Sequence, residues 1–120
     1  MINRTHVIVY SEDAEADRTF FKDVFGFESV DAGGGWLIFR LPPAELAFHP
    51  GGESRHELYL MCDDLETAMT ELKRKGAVFK GPIDELSWGR LAHIALPGGG
   101  VLGIYQPKHP LPPPAPITKD

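Results

Sequence analysis

The chain states one pattern twice, and that repeat most constrains what it can fold into. An apolar strand pattern, His6-Val7-Ile8-Val9-Tyr10, leads to Asp13 and then to helical spacing that ends at Gly26. A second, Glu57-Leu58-Tyr59-Leu60-Met61-Cys62, leads to Asp64 and to helical spacing that ends at Gly76. The step from His6 to Asp13 equals that from Glu57 to Asp64, so the halves superpose with His6 over Glu57. A chain of 120 residues has room for one domain, burying roughly 65–70% of its unfolded surface. The two halves must therefore share one fold, and a duplicated half-domain places its working surface where the halves meet. Here that surface would carry a His and a Glu.

Each half reads as β-α-β-β-β. In the first, Ser11 and Asp13 can accept hydrogen bonds from free helix-start amides. Ala16, Phe20, Phe21, Val24 and Phe25 recur at steps that leave one helix face apolar. Strands are expected over Phe27–Val30, Trp36–Leu41 and Leu46–His49, with Gly33-Gly34-Gly35 as a turn, because no helix follows it to bind phosphate. Pro50 to Arg55 is a short polar connector. In the second half Asp63 or Asp64 caps a helix with Leu65, Ala68, Met69 and Leu72 as its buried stripe. Lys73, Arg74 and Lys75 fall in its last turn, where the helix dipole favours positive charge. Strands follow over Ala77–Lys80, Leu91–Leu96 and Val101–Tyr105, with a loop after Gly81-Pro82.

Composition excludes several functions. The formal charge is −5 with no block of Lys or Arg, which argues against nucleic acid, whose phosphates call for a basic patch. No apolar run approaches the roughly 18 residues of a membrane span, and Met1 to Thr5 lacks a signal-peptide core. The chain reads as cytoplasmic, with no membrane partner. Cys62 is the single cysteine and sits in an apolar strand, so it is expected to pack rather than react. From Pro107 to Pro116 proline recurs at about every second position, which no sheet strand tolerates. Residues 108–120 are therefore a Pro-rich tail.

The string His6-Val7-Ile8-Val9-Tyr10, Asp13, then Phe20-Phe21-Lys22-Asp23-Val24-Phe25-Gly26-Phe27 resembles the opening of the vicinal oxygen chelate superfamily. That group includes glyoxalase I, bleomycin-resistance and fosfomycin-resistance proteins and extradiol dioxygenases. Asp63-Asp64-Leu65 and the closing Pro97-Gly98-Gly99-Gly100-Val101-Leu102-Gly103-Ile104-Tyr105-Gln106-Pro107 resemble it as well. The resemblance implies an α+β fold of two tandem βαβββ modules, residues 3–50 and 55–107 of one domain over 1–107. Their mixed sheets would curl around a U-shaped cavity. It further implies a homodimer, since relatives of this size pair a module with its counterpart in a second chain.

In metal-using members each module offers a ligand from its first and its last strand. Carried over, the first-strand positions are His6 and Glu57, while the last-strand positions fall on Ala47 and Gly103, which have no donor atom. A shifted register brings Glu45 or His49 in place of Ala47. A catalytic metal normally takes three protein ligands, so the expectation is no complete metal site and no cofactor. A divalent Zn, Fe, Mn or Ni ion, if bound, would sit on His6, Glu57 and possibly His49.

Strand alternation puts His6, Ile8, Tyr10, Glu57, Tyr59 and Met61 on the cavity side and Leu58, Leu60 and Cys62 behind. His56 points away, His93 has no assignable face, and His109 lies in the tail. Trp36, Phe39, His49, Tyr59, Trp88 and Tyr105 are the candidate pocket lining, a mixture typical of concave small-molecule sites. The leading expectation is a bleomycin-resistance-like protein that sequesters a small organic molecule, with His6 and Glu57 at the pocket floor. The alternatives are a metal-dependent lyase, isomerase or dioxygenase of the same superfamily, or a metal-free catalyst using a His6–Glu57 dyad for proton transfer.

Overall fold

The computed structural model describes residue 4 and residues 6–113; the predicted module start at residue 3 and tail residues 114–120 lie outside the described residues. The elements are α1 (Ala14–Phe20), a π-type turn over Phe21–Phe25, β1 (Ser29–Asp31), β2 (Leu37–Phe39), β3 (Tyr59–Met61), α2 (Leu65–Arg74), β4 (Val78–Leu86), β5 (Gly89–Ala95) and β6 (Val101–Pro107). This is an α+β arrangement of a two-stranded and a four-stranded sheet.

The second half forms the whole βαβββ unit that the sequence pattern implies. Its strands lie in the spatial order β3-β6-β5-β4, with β3 parallel to β6 and the other pairs antiparallel. Asp64 caps α2 by accepting hydrogen bonds from the Glu66 and Thr67 amides at 3.1 and 3.3 Å, which satisfies donors that would otherwise be free. Lys73 and Arg74 occupy the last turn as expected. Leu65 and Ile94 are fully buried at the centre of the core, with Leu102 and Ile104 beside them. Leu58, Leu60, Cys62, Ala68, Met69 and Leu72 pack around them. The Cys62 thiol donates to the Tyr105 carbonyl at 3.6 Å, and burial pushes its pKa up, as befits a packing residue.

Two strands run further than the sequence suggests: β6 reaches Pro107, which lies opposite Gly89 at the strand end, and β4 is extended as well. Gly81-Pro82 does not end β4; the strand runs on to Leu86 with an irregularity between Lys80 and Asp84. Pro82 is tolerated because β4 is an outer strand of the sheet, where a missing amide leaves no neighbour unpaired.

The first half is only partly built into sheet. Asp13 caps α1 through the Ala16 amide at 3.0 Å, and Gly26, in the left-handed region at φ 72°, closes the helical segment. Phe20, Phe21 and Phe25 meet edge to face, with Phe21 also against Phe39 at 6.0 Å between centroids. β1 and β2 pair antiparallel around a glycine turn held by the Asp31 carboxylate. The expected strands over His6–Tyr10 and Leu46–His49 are not in a ladder. Their apolar side chains are exposed, Tyr10 at 92% and Phe48 at 90%. β-branched and aromatic residues register fit to a covered sheet surface rather than a backbone preference. The three-residue β1 and β2 strands cover neither face of a further strand.

α1 nevertheless belongs to the shared core. Val24 is buried in the same cluster as Leu65 and Ile94, with Phe20, Phe21 and Phe25 packed against it. A polar latch fixes this docking. The Asp17 carboxylate accepts from the Gly98 amide at 2.7 Å, and the Glu12 amide donates to the Gly98 carbonyl at 3.2 Å. A side chain at Gly98 would collide with Ser11 and Asp17. The turn between β5 and β6 thus clasps the start of α1. Among the described residues no helix is long and apolar enough to cross a membrane.

Candidate functional site

Ladder register decides which side chains share a face, because residues directly opposite point the same way and successive ones alternate. Tyr59 lies opposite Gly103, which lies opposite His93, which faces Lys80. One step along, Met61, Tyr105, Leu91 and Asp84 form the next row. This face is turned away from the core side of Leu60, Ile104 and Ala92. The expected alternation of Glu57, Tyr59 and Met61 against Leu58, Leu60 and Cys62 is therefore observed. His93, whose facing the sequence left open, lands on the Tyr59 side.

Three rings meet on this face at near right angles. Trp88, in the β4–β5 turn, lies 5.0 Å from Tyr105 and 6.2 Å from Tyr59, and the two tyrosines are 5.9 Å apart. Such edge-to-face contacts set the positive rim of one ring on the negative face of another. Gly103 makes the arrangement possible: a Cβ there would stand 2.5 Å from the Tyr59 ring. The last-strand position that carries no donor atom is thus filled by an aromatic ring leaning across it.

The polar end of the site is Glu57. The Tyr59 hydroxyl donates to its Oε2 at 2.6 Å, and Arg55 lies 3.5 Å from its Oε1. The Tyr59 hydrogen bond, aided by the charge of Arg55 and by His49 nearby, holds the Glu57 carboxyl below the usual carboxylate range. The same hydrogen bond, with burial, pushes the Tyr59 phenol up to about 12. At neutral pH the wall therefore presents a fixed carboxylate and a neutral phenol. Burial also raises the Tyr105 pKa; its hydroxyl meets His109 Nε2 at 3.1 Å.

Of the sequence-derived pocket residues, Tyr59, Trp88 and Tyr105 come together, with Glu57 at their edge. His49 sits on the extended segment before β3, its Nδ1 hydrogen-bonded to the Pro50 carbonyl. Phe39 instead joins the phenylalanine group of the first half. Trp36 lies at the glycine turn with the Arg18 guanidinium 4.7 Å from its ring centre. His6 lies exposed on the segment before α1. His93 and His109 are the residues that sequence reasoning did not assign to the site. Register, which needs the observed β5–β6 pairing, is the signal for the first. The second has none, since a proline-rich stretch suggests no docking.

Two of the rings are partly exposed, Tyr59 at 37% and Trp88 at 38%. A separate shallow groove of about 530 Å³ runs along α1 past Asp13, Glu15, Asp23 and Pro97 and includes none of these rings. Among the described residues no three His, Cys, Asp or Glu side chains converge into a set that could hold a metal ion. His6, His49 and Glu57, the donors that the resemblance implies, do not form such a group among the described residues.

Comparison with known proteins places this geometry in a class. No family model matches the chain, and no curated protein sequence matches it. Solved structures do. A lactoylglutathione lyase from Agrobacterium tumefaciens matches with TM-score 0.63 at 16% identity, covering 86% of this chain and 92% of that one. TnmS3, an antibiotic binding protein from Streptomyces sp. CB03234, matches with TM-score 0.57 at 24% identity, over 87% of this chain and 100% of its own. A glyoxalase/bleomycin resistance protein from the same Streptomyces strain matches with TM-score 0.55 at 27% identity, over 82% and 95%. The fold is that of the glyoxalase/bleomycin resistance protein/dioxygenase superfamily, the vicinal oxygen chelate group that the sequence resembles.

Proposed function

We propose that this chain binds a small organic molecule against the Tyr59, Trp88 and Tyr105 wall and holds it without chemical change, in the manner of a resistance protein. The observation that carries this reading is the perpendicular packing of three rings, Tyr59 leaning over Gly103, with an ionised Glu57 at the edge. Aromatic surface with one fixed charge suits a planar, partly cationic ligand better than it suits proton transfer. A structural neighbour described as an antibiotic binding protein accords with this. The test is quenching of Trp88 fluorescence, in a Trp36→Phe background, by a panel of planar organic compounds. Saturable quenching that Tyr59→Ala weakens is expected; a panel that quenches neither protein would overturn the reading.

We further propose that two copies pair, in the cytoplasm, so that strands unsupported in one chain find edges in the other. A compact monomer of 13.2 kDa should expose about 6,400 Å². This chain exposes 9,724 Å², an excess larger than the roughly 1,000–2,500 Å² that each partner of a stable dimer buries. Val7, Ile8, Val9, Leu46 and Phe48 are the apolar residues such pairing would cover. Size-exclusion chromatography with light scattering should give twice the chain mass, and a monomer at all concentrations would remove the claim.

The second reading, a metal-dependent lyase, isomerase or dioxygenase, draws support from His49, close enough to Glu57 to help lower its pKa. Calorimetric titration with Zn, Fe, Mn and Ni decides it. Stoichiometric binding lost in His6→Ala and His49→Ala would favour the enzyme over the sequestering protein.

A further inference from the structure

The start of the tail does not leave the domain. The Lys108 amide donates to the Trp88 carbonyl at 2.8 Å, and its ammonium reaches Glu85 at 3.3 Å and the Leu86 carbonyl at 3.1 Å. Three contacts to the β4–β5 hairpin pin the residue before His109. His109 is then laid against Tyr105, ring centroids 5.9 Å apart and tilted by 45°, and is half-buried there. Nδ1 lies 2.9 Å from the Pro110 carbonyl, which can only accept, so Nδ1 carries a hydrogen. In the tautomer with its single proton there, Nε2 is bare and can accept from the Tyr105 hydroxyl 3.1 Å away.

From this we propose that His109 is the resident occupant of the aromatic wall and that its chemistry identifies the ligand class. That class is a planar nitrogen heteroaromatic, which lies against the Tyr105 and Trp88 rings and takes the Tyr105 hydroxyl on an unprotonated ring nitrogen. This rests on the small-molecule reading above and deepens it. The ligand and His109 compete for one donor, so the tail lowers apparent affinity by the fraction of molecules in which it is docked. A tail docked nine-tenths of the time weakens binding about ten-fold.

The experiment uses the full chain and two probes of matched shape, benzimidazole and indene, the second lacking a ring nitrogen. Trp88 fluorescence is read in the Trp36→Phe background. His109→Ala should tighten benzimidazole binding about ten-fold. Adding Tyr105→Phe to His109→Ala should weaken benzimidazole about five-fold, one neutral hydrogen bond, and leave indene unchanged. Equal benzimidazole affinity with and without His109 would overturn the occupancy claim. Equal loss for both probes on Tyr105→Phe would overturn the ring-nitrogen claim. Either result, with quenching still present, leaves the broader binding reading standing; absence of quenching by any planar compound in every variant removes both.

Discussion

The Gly103→Ala substitution sets two opposed effects against each other with a predictable sign. Glycine inside a strand costs about 0.5–1 kcal/mol relative to alanine, so backbone considerations alone make the variant more stable. The structure opposes this. The new Cβ would stand 2.5 and 2.7 Å from two carbons of the Tyr59 ring and 3.2 Å from Leu91 Cδ1. Ordinary carbon contacts lie near 3.5–4.0 Å, so the ring must retreat by about 1 Å. That retreat disturbs its 5.9 Å packing on Tyr105 and its 2.6 Å hydrogen bond to Glu57. Overpacking costs about 1–3 kcal/mol; Tyr59, 37% exposed, can swing outward, which favours the lower part of that range. The net expectation is destabilisation by about 0.5–2 kcal/mol, read by urea unfolding. Spectroscopic titration should show the phenol falling from about 12 toward its ordinary range, since the Glu57 hydrogen bond is the largest cause of its elevation. In a Tyr59→Ala background the same substitution should become stabilising. A Gly103→Ala protein more stable than the parent, with its phenol still near 12, would refute the close-approach argument.

Three further outcomes follow from the same geometry. Asp17→Ala should cost about 1–3 kcal/mol, the loss of a charge-assisted hydrogen bond to a partly buried amide, measured as a drop in unfolding free energy that Asp17→Asn partly restores. Ile94→Ala, at a fully buried position, should cost about 2–5 kcal/mol in the same assay. Tyr59→Phe should change the pH profile of stability at both ends. Because folding lowers the Glu57 pKa, its contribution is present above the ordinary carboxylate range and lost as pH falls through the folded value. Because folding raises Tyr59 from 10.0 to about 12, stability declines as pH rises across that interval. Both steps should be weaker in Tyr59→Phe, and unaltered acid and alkaline limbs would contradict the Glu57–Tyr59 pairing.

The second half was legible in the sequence because its signals are local and mutually supporting. Asp64, the Leu65–Leu72 stripe and Gly76 delimit a helix, and Tyr59 and Leu60 declare opposite faces by alternation alone. The first half misled at His6–Tyr10 and Leu46–His49 because strand character depends on what lies alongside. Composition reports the need for a neighbour without supplying one. At the site, Tyr59, Trp88 and Tyr105 could be chosen as large rings near a turn and two strands. The close approach of Tyr59 depends on the missing side chain at Gly103, which no residue pattern announces. His93 required the β5–β6 register, and His109 required the docking of Lys108 on a hairpin far earlier in the chain.

The parallel pairing of β3 with β6 carries a consequence for how the molecule assembles and opens. β4, β5 and β6 follow one another antiparallel and can meet across short turns. β3 must wait for a strand more than forty residues later, Tyr59 on Gly103 and Met61 on Tyr105, and closing so long a loop is slow relative to hairpin formation. It also ends at the margin of the sheet, with three paired residues. Segments of that kind detach at free energies below global unfolding. Tyr59 is therefore expected to ride on a strand that joins late and detaches early. Hydrogen exchange at the Cys62 amide, bonded to the Tyr105 carbonyl at 3.0 Å, should run faster than at Ile94 while the rest of the sheet stays closed.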